Sequence, residues 1–141
     1  MASNAFSGVG TVFNRGDSSS SSAVFTALAE VNGINGPNKT RGTIDVTSLD
    51  STGGHREFIA SFRDGGEVSL NMNFTIATYG LMNADFESSS SRDYQIVLQD
   101  TGNTTLQFTA WCVGLSMGVP LDDKVTSDVT LKVTGQFTIT S

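Results

Sequence analysis

Val125-Thr126-Ser127-Asp128-Val129-Thr130-Leu131-Lys132-Val133-Thr134-Gly135-Gln136-Phe137-Thr138-Ile139 is the stretch that decides the fold class. Val125, Val129, Leu131, Val133, Phe137 and Ile139 share one parity, with Ser127 and Gly135 between them. Thr126, Asp128, Thr130, Lys132, Thr134, Gln136 and Thr138 share the other. Such alternation makes a β-strand with one apolar and one polar face. At roughly 3.3 Å per residue the strand is about 50 Å long when straight. A globular chain of 141 residues is only about 37 Å across, given a radius of gyration of roughly 14 Å. The strand therefore either bends at Gly135 or projects to meet a neighbour.

The same period recurs upstream. In Glu67–Thr75, Val68, Leu70, Met72 and Phe74 alternate with Glu67, Ser69, Asn71, Asn73 and Thr75. Tyr94–Leu98 and Thr104–Leu115 form a further pair, joined through Asp100-Thr101-Gly102-Asn103, which is good turn chemistry. Ala23–Val31 and Thr43–Thr47 read as strands around a Gly/Asn/Pro loop, and Gly10–Asn14 and Glu57–Phe62 as weaker ones. Trp111 breaks one pattern. Leu106, Phe108 and Ala110 point one way, yet Trp111, Val113 and Leu115 hold the other parity. A strand apolar on both faces lies between two layers or beneath a partner. Only Ile76–Glu87 reads as a helix, with Tyr79, Met82 and Phe86 at i, i+3 and i+7, Leu81 beside them, and Thr75 or Thr78 as N-cap. The expected fold is mainly β, a small β-sandwich or barrel with one short α-helix.

Composition excludes more than it assigns. Eight Lys+Arg against 14 Asp+Glu give a formal net charge of −6, and only 16% of residues are charged. With 38% hydrophobic residues the chain can build a core. So acidic a chain is poorly suited to holding phosphate by basic contacts. One cysteine, Cys112, and one histidine, His55, leave no internal disulfide and no Cys- or His-rich metal site. No nucleophile elbow, phosphate loop or metal motif occurs, and Asp122-Asp123 with Asp128 lacks the spacing of a calcium loop. No enzyme activity and no cofactor are expected. The apolar run Ala110–Leu115 is too short to span a bilayer. Met1-Ala2-Ser3-Asn4 has neither the basic nor the apolar region of a secretory signal, so no membrane anchor is expected. Ser18–Ser22 and Ser88–Ser91 read as exposed loops.

Lys39–Glu67 differs from the rest. It holds four of the eight basic residues and five acidic ones, with Phe58, Ile59 and Phe62 among them. Interspersed charge with embedded apolar anchors suits a protein–protein contact of fixed register.

The same section carries a resemblance. Ile34-Asn35-Gly36-Pro37, the run Arg41-Gly42-Thr43-Ile44-Asp45-Val46-Thr47-Ser48-Leu49-Asp50-Ser51, then Arg56-Glu57-Phe58-Ile59 and Asp64-Gly65-Gly66-Glu67-Val68-Ser69-Leu70 resemble the tail tube proteins of long, non-contractile-tailed bacteriophages. Tyr94–Leu98, Pro120–Val125 and Leu131–Gly135 fit the same pattern. The resemblance runs from about Gly10 to the C-terminus. It implies one tail-tube domain over residues 1–141, without the C-terminal immunoglobulin-like domain that some members carry. It implies six-membered rings that stack into a hollow tube below the capsid, and double-stranded DNA as transient cargo. Partners would be further copies of the chain and tape-measure, tail-tip and terminator proteins. The place would be a virion tail, assembled in a bacterial host cytoplasm.

Residues expected to meet neighbouring subunits or rings are Asn35, Lys39, Arg41, Asp50, His55, Arg56, Glu57, Phe58, Arg63 and Asp64, within loops Gly33–Gly42 and Ser48–Gly66. Trp111 is the aromatic interface candidate. Lumen candidates are Asp45, Glu67, Asn71 and Asp128, since acidic strand faces repel a phosphate backbone. The alternatives are a small β-sandwich binding or decoration module of a virus particle, and a tube subunit of a tailocin or gene transfer agent.

Overall fold

Alternating sequence becomes antiparallel sheet throughout the protein. The structure, a computed structural model, describes residues 7–17, 24–28 and 30–140, with the backbone alone at Gln136. Met1–Asn4 and Ser18–Ser22 lie outside the described residues, as do Ala23 and Ala29 of the expected Ala23–Val31 strand. The strands are β1 (Val12–Gly16), β2 (Phe25–Ala27), β3 (Val31–Asn35), β4 (Thr40–Asp45), β5 (Phe58–Asp64) and β6 (Glu67–Asn73). Helix α1 (Ile76–Glu87) follows, and then β7 (Arg92–Val97), β8 (Thr105–Gly118) and β9 (Thr126–Thr140). Seven strands form one sheet in the order β2-β1-β7-β8-β9-β6-β3. β4 and β5 pair only with each other.

Both halves of the alternation take their expected places. Val68, Leu70 and Met72 of β6 are buried with Val129, Leu131 and Val133 of β9, and the cluster continues through Phe108, Ala110 and Cys112 of β8 to Tyr94, Ile96 and Phe13. Five neighbouring strands therefore contribute to one core. At about 4.8 Å per strand they are about 24 Å wide. A 12-residue helix is about 18 Å long and 10–12 Å across. One helix cannot cover that face, so the sheet must curl over itself to bury Val68 and Leu131 completely. The ladder shows where it bends. The β8–β9 register shifts between Gln107 and Thr109 and again between Cys112 and Gly114. Opposite the first shift, Gly135 has φ 79°. Such bulges bend and twist a strand. Of the two expectations for the long C-terminal strand, the irregularity at Gly135 is the feature a bend there requires.

Helix α1 begins where Thr75, in extended conformation, accepts a hydrogen bond from the Thr78 amide through its side chain (3.2 Å). Its buried face differs from the expected apolar stripe. Thr78, Met82 and Asp85 face inward, whereas Phe86 and Leu81 are exposed and Tyr79 packs on Phe74. Asp85 explains the difference. Its Oδ1 accepts from Arg15 Nη2 (2.6 Å) and forms an ion pair with Arg92 Nε (2.7 Å). Its Oδ2 accepts from Arg15 Nε (2.8 Å) and the Tyr94 hydroxyl (2.7 Å). The helix is docked by one buried carboxylate on two strands. The Asp85 hydrogen bond holds the Arg15 guanidinium above its ordinary pKa, and burial together with Asp85 pushes the Tyr94 hydroxyl far up.

Candidate assembly interface

β4 and β5 form an arm. Every residue of β4 is exposed, and in β5 only Ser61 is partly covered. The ladder pairs Thr40 with Asp64, Arg41 with Arg63, Ile44 with Ile59 and Asp45 with Phe58. Ile44, Val46, Phe58, Ile59 and Phe62 stand in solvent, Phe62 at 93%. Apolar residues on both sides of a lone two-stranded ribbon have no fold-internal purpose. A concentration of this kind marks an interaction surface.

The tip between the strands has its own hydrogen bonds. The Val46 amide donates to the Glu57 carbonyl (2.9 Å) and the Glu57 amide to Thr47 Oγ1 (2.7 Å). Ser51 Oγ donates to Glu57 Oε2 (2.8 Å), and Arg56 Nη2 donates to Asp45 Oδ2 (2.7 Å). The Thr47 hydroxyl and amide, with Arg56, hold the Asp45 carboxyl below the usual carboxylate range. Asp50 and His55 flank the short 3-10 turn Thr52–Gly54 and are exposed. The two segments expected as loops, Gly33–Gly42 and Ser48–Gly66, are thus corrected. The first contains the end of β3 and the start of β4, and the second contains β5. The reason is mutual pairing: Thr43–Thr47 and Glu57–Phe62, each a modest strand signal alone, complete one ladder.

The root of the arm is crowded. Gly66 has φ 77°, and a Cβ there would lie 1.9 Å from the Asn38 carbonyl oxygen. Lys39 Nζ sits 4.2 Å from the centroid of the Phe137 ring. Lys132 Nζ donates to both oxygens of Asp64 (3.1 and 3.2 Å). The Gly66 amide and Lys132 keep the Asp64 carboxyl low. Asn35 stands apart from the arm, as the exposed last residue of β3, opposite Ser69.

The four lumen candidates do not lie together. Glu67, Asn71 and Asp128 share the polar face of the seven-stranded sheet, where Asn71 Nδ2 donates to Asp128 Oδ1 (2.7 Å). Asp45 belongs to the arm, because the strand that carries it joins the separate two-stranded sheet. Amides add to that polar face. Asn32 bonds Asn71 and Asn73, and Asn14, Gln95 and Gln107 bond in series across three strands. Trp111 lies opposite Lys132 and is 39% exposed, with Val113 at 50%. The bulge at Val113 returns Leu115 to the core face, opposite Val129. Trp111 is therefore not sandwiched between two layers of this domain.

Among the described residues no group of His, Cys, Asp and Glu could hold a metal ion, and no helix is long and apolar enough to cross a membrane. Sequence reading missed the Asp85 network. Nothing local in the sequence could join residue 15 to residue 85.

The family model described as Lambda phage tail tube protein, TTP, matches residues 5–140. No match was found among curated protein sequences. Among solved structures, the chain is similar to the tail of an empty GTA particle refined with C6 symmetry. The identity is 19%, the coverage 97% of this chain and 100% of that one, and the TM-score 0.78. It is also similar to a chain of the sheath/tube terminator of an extracellular contractile injection system, PVC, at 13% identity, full coverage of both chains and TM-score 0.73. The SPP1 tail tube matches at 9% identity over 92% of this chain and 75% of that one, with TM-score 0.63.

Proposed function

Because the chain belongs to the lambda phage tail tube protein family and is a structural tube subunit of a virion tail, we propose that six copies close into a ring and that rings stack into a hollow tube conducting double-stranded DNA. The exposed arm is the observation that carries the reading: a subunit with apolar residues on both sides of a projecting ribbon is incomplete alone. A six-fold ring is supported by the C6 symmetry of the GTA tail to which the fold is similar. Stacking is a heterologous contact, which grows filaments instead of closing. Its length must then come from tape-measure, tail-tip and terminator partners.

In this reading Asn35 and the arm residues Lys39, Arg41, Asp50, His55, Arg56, Glu57, Phe58, Arg63 and Asp64 meet neighbouring subunits or rings, and Trp111 is covered by a neighbour. The polar face with Glu67, Asn71 and Asp128 lines the lumen. Apart from Lys132, which lies opposite Glu67 and is paired with Asp64, the acidic and amide groups of this face offer DNA no cationic partner, so the phosphate backbone slides instead of binding. Asp45, held on the arm by Arg56, belongs with the contact residues. The role is non-enzymatic, with assembly in a bacterial cytoplasm. A gene transfer agent tube is the second reading, favoured by 97% coverage against two such particles.

Negative-stain microscopy of the purified protein at rising concentration tests the proposal. Rings or hollow tubes are expected. Monomers alone, at high concentration and with tail-tip initiator added, would overturn it.

A further inference from the structure

The cleft between the root of the arm and β9 concentrates positive charge in an acidic protein. About 1130 Å³ in volume, it is lined by Lys39, Arg41, Phe62, Arg63, Lys132 and Phe137, among others. Four of the chain's eight basic residues therefore meet in one place. The remaining four are Arg15 and Arg92, both on Asp85, Arg56 on Asp45, and Lys124. Lys132 is paired with Asp64, but Arg41 and Arg63 have no carboxylate partner among the described residues. They also face one another directly across the β4–β5 ladder. Like charges placed so are destabilising. An anion between them would turn that repulsion into two charge-assisted bonds.

The chain carries a complement to this cleft. The β8–β9 connection, Val119-Pro120-Leu121-Asp122-Asp123-Lys124, is exposed throughout, with Leu121 at 101% and Val119 at 69%. It combines apolar anchors with two adjacent carboxylates that pair with no cation among the described residues. The cleft offers the matching chemistry, the exposed Phe62 ring and the half-buried Phe137 ring beside guanidinium groups. The loop precedes the start of β9, whereas the cleft lies further along it, against Lys132–Phe137. From Val125 to Thr134 the strand covers about 30 Å, too far for a subunit to satisfy itself without breaking the sheet.

We propose that the cleft receives the Val119–Lys124 loop of a second copy, with Asp122 and Asp123 between Arg41 and Arg63 and Leu121 against Phe62. The contact is head to tail and repeats without closing, so it serves as the stacking contact between successive rings. It rests on the tube reading for that role, and on charge and shape for the contact itself. A nucleic-acid backbone is the other anion to consider. The chain's net charge of −6 and the presence of a complementary loop favour protein.

Charge exchange tests it in the full-length protein. Arg41→Glu with Arg63→Glu, or Asp122→Lys with Asp123→Lys, is expected to raise the concentration needed for tube growth roughly tenfold or more, while rings persist. Combining all four is expected to restore tubes. If either pair leaves tube growth unchanged, or if the combination fails to restore it, the contact is wrong and the tube reading survives. Disulfide capture provides a measure independent of tubes. A chain with Arg63→Cys and Asp122→Cys, oxidised in solution, is expected to give a ladder of covalent oligomers, since Cys112 is buried. A ladder without tubes in the wild type would keep the contact and discard the tube. Neither ladder nor tubes would discard both. Loss of duplex-DNA binding in the arginine variant, with stacking intact, would overturn the proposal in favour of nucleic acid.

Discussion

Replacing Asp85 with asparagine keeps the side chain's shape and removes the charge that two arginines and a tyrosine surround. Cutting one partner from a buried ion pair costs about 3–5 kcal/mol, so D85N is expected to lower the denaturant midpoint sharply without changing the slope. A drop well under 1 kcal/mol would mean that the carboxylate does not dock the helix. Ser127 predicts the opposite sign. Its hydroxyl is buried among Val129 and its neighbours, with no partner among the described residues. Removing an unpaired buried hydroxyl relieves a cost of about 1 kcal/mol or more, so Ser127→Ala is expected to raise the midpoint. At Gly66 any side chain collides with the Asn38 carbonyl. Gly66→Ala should therefore disturb the arm root while leaving far-UV circular dichroism of the main sheet close to wild type.

At the scale of the element, the arm and the helix differ in what holds them. A two-stranded ribbon is marginal by itself in water. Amides of β4 and β5 are therefore expected to exchange with solvent faster than those of β8 and β9 in the free subunit, and to become protected in assembled tubes. Equal protection in both states would mean that the arm meets nothing. Acid should loosen the arm late. Asp45 and Asp64 titrate below their ordinary 3.8, so their support is present at higher pH and is lost only as pH falls through those lowered values. The side-chain carboxyl resonances of Asp45 and Asp64 should hold their positions near the ordinary 3.8 and move below it. These elements were unequally legible in the sequence. β6, β8 and β9 announced themselves because one face of each is buried, and burial writes period two into the residues. The helix boundaries were legible through the Thr75 cap. Its orientation was not, because an ion pair between residues 85 and 15 leaves no local trace. The arm was half legible: its residue types signalled contact and Thr43–Thr47 and Glu57–Phe62 read as strands, but with both faces exposed nothing forced a regular pattern on it, and their bounds and mutual pairing were lost among expected loops.

At the scale of the molecule, the core and the arm should be separable by mutation. Ile44→Ser with Ile59→Ser removes side chains that are each about half in water and pack only on the arm itself. Thermal stability of the subunit is expected to stay within a degree or two, roughly what a surface change under 0.5 kcal/mol gives, while tube assembly is lost. A comparable loss of subunit stability would show that the arm belongs to the fold and not to the assembly. The ribbon form of the arm has one more consequence, a mechanical one. A paired ribbon twists and flexes more easily than a wide sheet. In a tube joined through such ribbons, strain from bending would gather at the joints between rings, and each ring's bore would keep its shape. The duct could then follow a curve without pinching.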